Sequence, residues 1–182
     1  MMLDLRGRQL MKTATQLSEK PKGNLIVPTD LKREGVAEIS ESLNLLLADV
    51  FALYLKTKSF HWHIIGPHFR DYHLLLDEQA AQVFAMSDDI AERVRKIGGS
   101  TLRSISDISR QQRLRDNDDT SLGATAMLAE LCSDNKQLIG FLRLTHEVAS
   151  GNGDVATTSL IENWIDETER RTWFLSAALD ES

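Results

Sequence analysis

Apolar residues recur at intervals of three and four along most of the chain, and this spacing predicts long amphipathic helices. In the first helix, which runs from about Leu31 or Val36 to about His63, the inward positions step by 3, 4, 3, 4 and 3. They are Val36, Ile39, Leu43, Leu46, Val50 and Leu53. Gly66-Pro67 separates this helix from a second one, which runs from about Pro67 to Ile97 and stops at Gly98-Gly99.

Two more helices follow a polar segment at residues 100–119. The third begins after Asp119-Thr120-Ser121, any of which can cap it, and the fourth runs from its N-cap Asp154 to about Leu179. Within the polar segment, Leu102, Ile105 and Ile108 have the spacing of a short helix. Two helical hairpins joined by a long crossover describe an all-α, ferritin-like four-helix bundle.

Composition assigns the chain to one domain with an N-terminal arm. Its 182 residues suit a single domain, which we place at residues 31–182 after a mobile arm at 1–30. The arm's first 23 residues carry a net charge of +3, so the remainder carries −9 of the total of −6. Its cations are Arg6, Arg8, Lys12, Lys20 and Lys22. The asymmetry favours a polyanion-binding tail, although an ordinary solvated terminus has the same charge pattern.

Several protein classes are excluded. A single cysteine, Cys132, excludes a disulfide framework and a multi-cysteine metal site, and we expect it to be a buried small hydrophobe. No run approaches the roughly 20 apolar residues of a membrane span, and no apolar signal-peptide run follows Met1. The expected compartment is the cytoplasm.

The candidate chemistry lies between His61 and Glu92. Four of the five histidines fall within 13 residues: His61, His63, His68 and His73. On the second helix, His73 and Asp77 lie four residues apart, and so do Asp88 and Glu92. Residues with this spacing share one helix face, so each pair can grip one ion. Imidazole with carboxylate suits Fe(II), Mn(II) or Zn(II).

Helix geometry prevents the two pairs from sharing an ion within one chain. Asp77 and Asp88 are 11 residues apart, which is about 16 Å along a helix but also about three turns, so both pairs face the same way. Two antiparallel copies would bring one chain's His73 and Asp77 against the other's Asp88 and Glu92, giving two identical sites per dimer. Small residues near the crossing would permit close approach: Ala80, Ala81 and Ala85. His61 can supply a further ligand.

Structural interpretations of the same residues stay open. A His–Asp pair four apart often forms a surface hydrogen bond, and Asp88 and Glu92 can pair with Arg95 or Lys96. The three tryptophans are interpreted first as core residues: Trp62, Trp164 and Trp173. A functional role stays open for Trp62, because it adjoins His61. His146 is isolated and reads as structural or exposed. No Glu is followed three residues later by His, which disfavours an intrachain diiron site.

The segment around these residues resembles the Dps family of mini-ferritins, the DNA-binding proteins from starved cells. The resemblance rests on Lys56 through His63, on Gly66-Pro67-His68-Phe69, on Tyr72 through Asp77, on Asp88 through Arg93 and on Gly98-Gly99. It implies a cytoplasmic dodecameric shell that oxidises Fe(II), usually with hydrogen peroxide rather than dioxygen, and stores a ferric mineral. It assigns His61, His73 and Asp77 of one chain and Asp88 and Glu92 of its mate to the iron site.

Three further assignments follow from the resemblance. It gives Trp62 the role of intercepting radicals beside the iron, and it places Asp154 and Glu162 at a pore through which iron enters, although a helix cap and a solvated face explain these two equally well. Basic arms bind DNA in some family members, and such binding would make the protein nucleoid-associated. The alternatives to an iron-oxidising shell are a non-enzymatic DNA-compacting protein with a secondary metal site and a structural bundle without metal.

Overall fold

The computed structural model describes residues 27–180, where the chain forms five α-helices and no β-strand. Four are long: α1 (Arg33–His63), α2 (Phe69–Lys96), α4 (Ala124–Gly151) and α5 (Val155–Ala178). The short helix α3 (Ile105–Gln111) lies in the crossover. Helix α1 packs along α2, α4 packs along α5, and α1 also contacts α4 and α3. The predicted pair of hairpins with a helical crossover is confirmed, and no described helix is long and apolar enough to span a membrane.

Most of the predicted inward positions form the core, where Cys132 is also buried as expected. Two aromatic predictions were wrong. Phe69, expected in the apolar stripe of the second helix, is 46% exposed because α2 begins at this residue, at the turn end of the hairpin. Trp173, expected in the core, is largely exposed and packs edge-on against Phe174, whereas Trp164 is buried.

The ends of two helices show where short-range signals work and where they mislead. Gly98 has a φ of +92°, which glycine adopts without strain, and a Cβ on Gly99 would lie 2.2 Å from the Ser40 hydroxyl, so this pair does end α2. The predicted cap of the third long helix was wrong. Helix α4 begins after Gly123, which has no side chain, while Asp119 accepts hydrogen bonds from Ser121 in a preceding turn.

Buried Asp49 fixes the crossover to α1. Its carboxylate accepts hydrogen bonds from the backbone N–H groups of Arg113 and Leu114 and from the Arg113 guanidinium, at 2.6 to 3.2 Å. The same guanidinium stacks 3.8 Å from the ring centroid of Phe141 on α4. A buried carboxylate with four hydrogen bonds holds a 27-residue connection in one conformation.

The centre of the bundle contains a cation that the sequence analysis did not identify. Arg171 is 1% exposed, and it donates hydrogen bonds to the side chains of Asn135 and Thr168. Burial lowers the pKa of Arg171 to about 10. An apolar stripe predicts the inward face of a helix but not a polar side chain embedded in it, because Arg171 reads from sequence as a surface residue.

Asp154 joins the start of α5 to the end of α2. Its carboxylate caps α5 by accepting from the Thr157 backbone N–H, and it accepts a 2.5 Å hydrogen bond from the Arg93 guanidinium. Burial alone would raise the pKa of Asp154, but the hydrogen bonds from Arg93 and Thr157 outweigh it and lower the pKa. The predicted capping role is confirmed.

We expect Asp154→Asn to lower the free energy of unfolding by about 1–3 kcal/mol at pH 7, because Asn keeps the cap but loses the charge that pairs with Arg93. A lowered folded pKa contributes stability above the unfolded pKa of about 3.9 and loses it as the pH falls through the folded pKa. The difference between the wild type and the variant should therefore shrink at pH 3. Urea unfolding at both pH values measures it, with Asp166→Asn, an exposed carboxylate of α5, as the control. A difference that is the same at both pH values would contradict this assignment.

Candidate metal centre

His61 and His73 hold each other in place at the turn end of the first hairpin. The Gly66 turn brings the last turn of α1 beside the first turns of α2. The Nδ1 of His61 lies 2.8 Å from the carbonyl oxygen of His73, and the Nδ1 of His73 lies 2.9 Å from the carbonyl oxygen of His61. The two rings stack with centroids 3.7 Å apart.

This reciprocal arrangement determines which ring nitrogens can bind a metal. A carbonyl oxygen only accepts hydrogen bonds, so both Nδ1 atoms carry the proton and donate it. In the neutral ring, Nε2 then keeps its lone pair, as in metal-binding histidines whose other nitrogen bonds to a carbonyl. Each of the two rings is therefore left with an Nε2 lone pair that can bind a metal.

Asp77 adds a carboxylate one turn further along α2. Its Oδ1 lies 3.9 Å from the Nε2 of His61 and accepts a 2.7 Å hydrogen bond from the Nζ of Lys58. The hydrogen bond and the positive charge of Lys58 lower the pKa of Asp77. The carboxylate is therefore ionised at neutral pH, with its exposed side available to a cation.

Asp88 and Glu92 form a second acidic pair on the same exposed face of α2. Glu92 forms a 2.8 Å ion pair with Lys96. The hydrogen bond from Lys96 and its positive charge lower the pKa of Glu92. Lys96 was one of the two predicted structural partners. No side chain within residues 27–180 donates a hydrogen bond to Asp88.

The two ligand groups do not meet within the chain. About 16 Å of continuous helix separates Asp77 from Asp88. In the part of the chain that the structure describes, no three histidine, cysteine or carboxylate side chains are grouped to hold a metal ion. We call each group a candidate half-site, and both lie on one surface of the described chain.

One exposed aromatic side chain lies between the two candidate half-sites, and another lies beside the one that contains the histidines. Phe84 is half-exposed midway between Asp77 and Asp88, and its ring lies against Tyr54 and Phe51 of α1. Trp62 is 60% exposed, and the Nζ of Lys58 lies 6.0 Å from its ring centroid. Three alanines were expected near the crossing of two α2 helices. This prediction was wrong for Ala80, which is buried in the chain's own core, whereas Ala81 and Ala85 are exposed.

The remaining candidates lie away from these halves. His63 bonds to the Ser59 carbonyl, and His68 packs beside Tyr72. Of the two predicted pore residues, Asp154 is buried at the α5 cap, and Glu162 lies 3.2 Å from His146. The predicted DNA-binding cations are outside the described residues: Arg6, Arg8, Lys12, Lys20 and Lys22.

Sequence reasoning missed the contact of Lys58, whose side chain reaches from α1 to the proposed ligand Asp77 on α2. A signal for it was present, because Lys58 lies one turn before His61 and four residues before Trp62, on the same helix face. Nothing in that spacing shows that its ammonium group reaches across to Asp77 on the next helix.

Comparison with known proteins identifies the family. The model of the ferritin-like domain matches residues 40–182. An uncharacterized low temperature-induced protein of Nostoc sp. is 35% identical over 154 residues, which cover 84% of each chain. The DNA protection during starvation protein 1 of Deinococcus radiodurans is 30% identical over 151 residues, covering 83% of this chain and 73% of that protein.

Solved structures agree. The X-ray structure of Dps from Thermosynechococcus elongatus superimposes with a TM-score of 0.79 at 28% identity, covering 82% of this chain and 94% of that one. The fold described above is thus that of a ferritin-like four-helix bundle. The chain belongs to the Dps family of ferritin-like proteins.

The reciprocal histidine bonds predict a definite tautomer. We expect both His61 and His73 to be protonated at Nδ1 and unprotonated at Nε2 in the metal-free protein at pH 8, because each Nδ1 faces a carbonyl oxygen. Solid-state ¹⁵N NMR distinguishes the two nitrogens, and His61→Gln and His73→Gln variants assign the signals. Finding the proton on Nε2 of either ring would contradict the arrangement.

Proposed function

We propose that this protein oxidises Fe(II) at sites shared between two copies of the chain and stores the ferric product inside a closed shell. The observation that carries the proposal is the division of the ligands into two half-sites on one exposed face of α2, about 16 Å apart. A surface that presents two incomplete sites at a fixed spacing is complete only with a partner.

Two-fold symmetry supplies that partner. A second α2, laid antiparallel across the first near Phe84, sets His61, His73 and Asp77 of one chain opposite Asp88 and Glu92 of the other. The symmetry then generates the same site twice. The half-exposed Phe84 and Trp62 give this contact an apolar component that excludes water.

The donor set suits Fe(II) as the substrate. Two imidazole nitrogens and three carboxylates match a borderline divalent ion, and they leave coordination positions open for an oxidant. Two Fe(II) ions each give one electron to one hydrogen peroxide molecule, which takes up two protons and leaves as two water molecules. The carboxylates offset the charge of the Fe(III) product, and dioxygen is the alternative oxidant.

The remaining features support a storage role. The Dps resemblance implies a hollow dodecamer in the cytoplasm, and family membership is consistent with a shell that keeps ferric mineral away from peroxide. In that shell Trp62, exposed beside His61, would intercept radicals that escape the iron. We keep Asp154 and Glu162 as proposed pore residues. In the single chain, the Asp154 carboxylate accepts a hydrogen bond from the Arg93 guanidinium.

A second candidate function is DNA binding through the arm. The +3 charge of residues 1–23 favours it, since repeated weak cationic contacts from many arms add up on a polyanion. In this alternative the protein compacts DNA without being an enzyme, and the metal site is secondary. A body that carries −9 opposes DNA elsewhere on its surface.

Complementation between two damaged chains tests the shared site. One chain carries His61→Ala and His73→Ala, and the other carries Asp88→Ala and Glu92→Ala. Each forms only damaged sites with itself, whereas a mixed dimer collects both lesions in one site and leaves the other intact. Co-expressed shells should recover up to about half of the wild-type activity per mixed dimer, measured as peroxide-driven Fe(II) oxidation.

A chain with His63→Ala and His68→Ala serves as the control, because it loses two neighbouring histidines that lie outside the half-sites. It should oxidise iron at the wild-type rate. Mixed shells that assemble normally yet stay as slow as either parent would show that the site is not shared between chains.

Removing residues 1–23 tests the DNA candidate. We expect the full-length protein to bind DNA weakly and with a steep dependence on salt, and the truncated protein to lose this binding, because the arm carries the excess positive charge. Gel-shift titrations at several salt concentrations measure both proteins. Undiminished binding by the truncated protein would remove the arm from the interface.

A further inference from the structure

Lys58 bridges α1 and α2 at the half-site that contains the histidines. Its ammonium nitrogen lies 2.7 Å from the Oδ1 of Asp77, and its side chain is 19% exposed. The other lysine paired with a proposed ligand, Lys96, is 60% exposed and contacts Glu92 within the same helix. Lys58 is therefore held between two helices, whereas Lys96 lies on an open helix surface.

The oxygen that Lys58 contacts also faces the proposed ligand His61. The same Oδ1 of Asp77 lies 3.9 Å from the Nε2 of His61, and a metal bound to both atoms would sit about 2.0–2.2 Å from each. The ammonium group would then be within about 5 Å of a divalent ion, where two positive charges repel. Lys58 and a metal bound to this oxygen would therefore compete for Asp77.

The structure offers the ammonium group a place to go. Trp62 lies one turn further along α1, and the Nζ of Lys58 is already 6.0 Å from its ring centroid. The face of an indole ring attracts a cation. A small rotation of the lysine side chain therefore exchanges one favourable contact for another.

We propose that Lys58 is a built-in competitor for iron: it neutralises Asp77 while the half-site is empty and must be displaced before a divalent ion binds. The proposal rests on the proposed function, because it assumes that His61, His73 and Asp77 bind metal. Its consequence is a weaker apparent affinity for every cation, because each one must displace the ammonium group. Cations that gain little from imidazole are then held too weakly to fill the half-site, whereas Fe(II) fills it at a higher concentration than it would without the lysine.

The competing interpretation is that Lys58 only positions Asp77. The two roles predict opposite signs. If the lysine competes, removing its charge strengthens metal binding, and a guanidinium, which grips a carboxylate with two parallel hydrogen bonds, weakens it. If the lysine only positions the carboxylate, removing it weakens binding and Arg preserves it.

Co(II) titration of the assembled full-length protein separates these outcomes, because its visible absorption reports bound metal without any turnover. We expect Lys58→Gln to bind Co(II) on the order of five-fold more tightly than the wild type, and Lys58→Arg about two- to five-fold more weakly. Lys136→Gln removes the same charge from an exposed position on α4 and should leave the affinity unchanged. Equal or weaker binding by Lys58→Gln overturns the proposal, and so does a matching gain in Lys136→Gln.

Failure of the proposed function gives a different result. Asp77→Asn in the wild-type background should abolish the Co(II) spectrum. If the wild type and every Lys58 variant lack that spectrum, the metal site itself is wrong. If the wild type and Lys58→Gln show it at the same Co(II) concentration, the metal site stands and the role of Lys58 falls.

Discussion

The fixed rise of an α-helix is the constraint on which the proposed function of this molecule depends. Eleven residues of unbroken helix hold Asp77 and Asp88 about 16 Å apart, and no side-chain movement closes that distance. Because 11 residues also complete about three turns, Asp77 and Asp88 lie on the same face of the helix although they are far apart along its axis. A rigid helix thus presents two half-sites on one face, and the proposed dimer follows from this spacing.

Buried polar contacts hold the other parts of the bundle in place around α2. Asp49 holds the long crossover against α1, and Asp154 ties the start of α5 to Arg93 near the end of α2. Arg171 sits in the middle of the bundle with Asn135 and Thr168 as partners.

The four long helices could be predicted from the sequence because their apolar periodicity continues over 24 or more residues. Such a pattern is typical of a helix that packs against its neighbours along its whole length. The cap at Asp154 could also be predicted, since a side-chain acceptor directly precedes the helix. The predicted start of α4 was wrong, because the capping residues at 119–121 form a turn of their own. The helix begins only after Gly123. Short-range capping rules do not show which of several local hydrogen-bonding patterns the chain adopts.

At the candidate site, spacing predicted which residues share a face but not how their side chains are held. The mutual locking of His61 and His73 depends on two backbone carbonyls whose positions are set by the tertiary structure. The reach of Lys58 to Asp77 depends on the distance between two helices. The orientation of Ala80 into the core likewise depends on where α2 meets its neighbours. Each of these is a property of packing between elements, which helical periodicity does not encode.

The central claim is that one metal ion is held by residues of two chains. Anomalous diffraction from crystals soaked in a redox-inert divalent ion tests it directly. The account predicts a peak within bonding distance of His61, His73 and Asp77 of one chain and of Asp88 or Glu92 of its two-fold mate, repeated twice per dimer. A peak bound by the ligands of a single chain, or none on the α2 face, would contradict it.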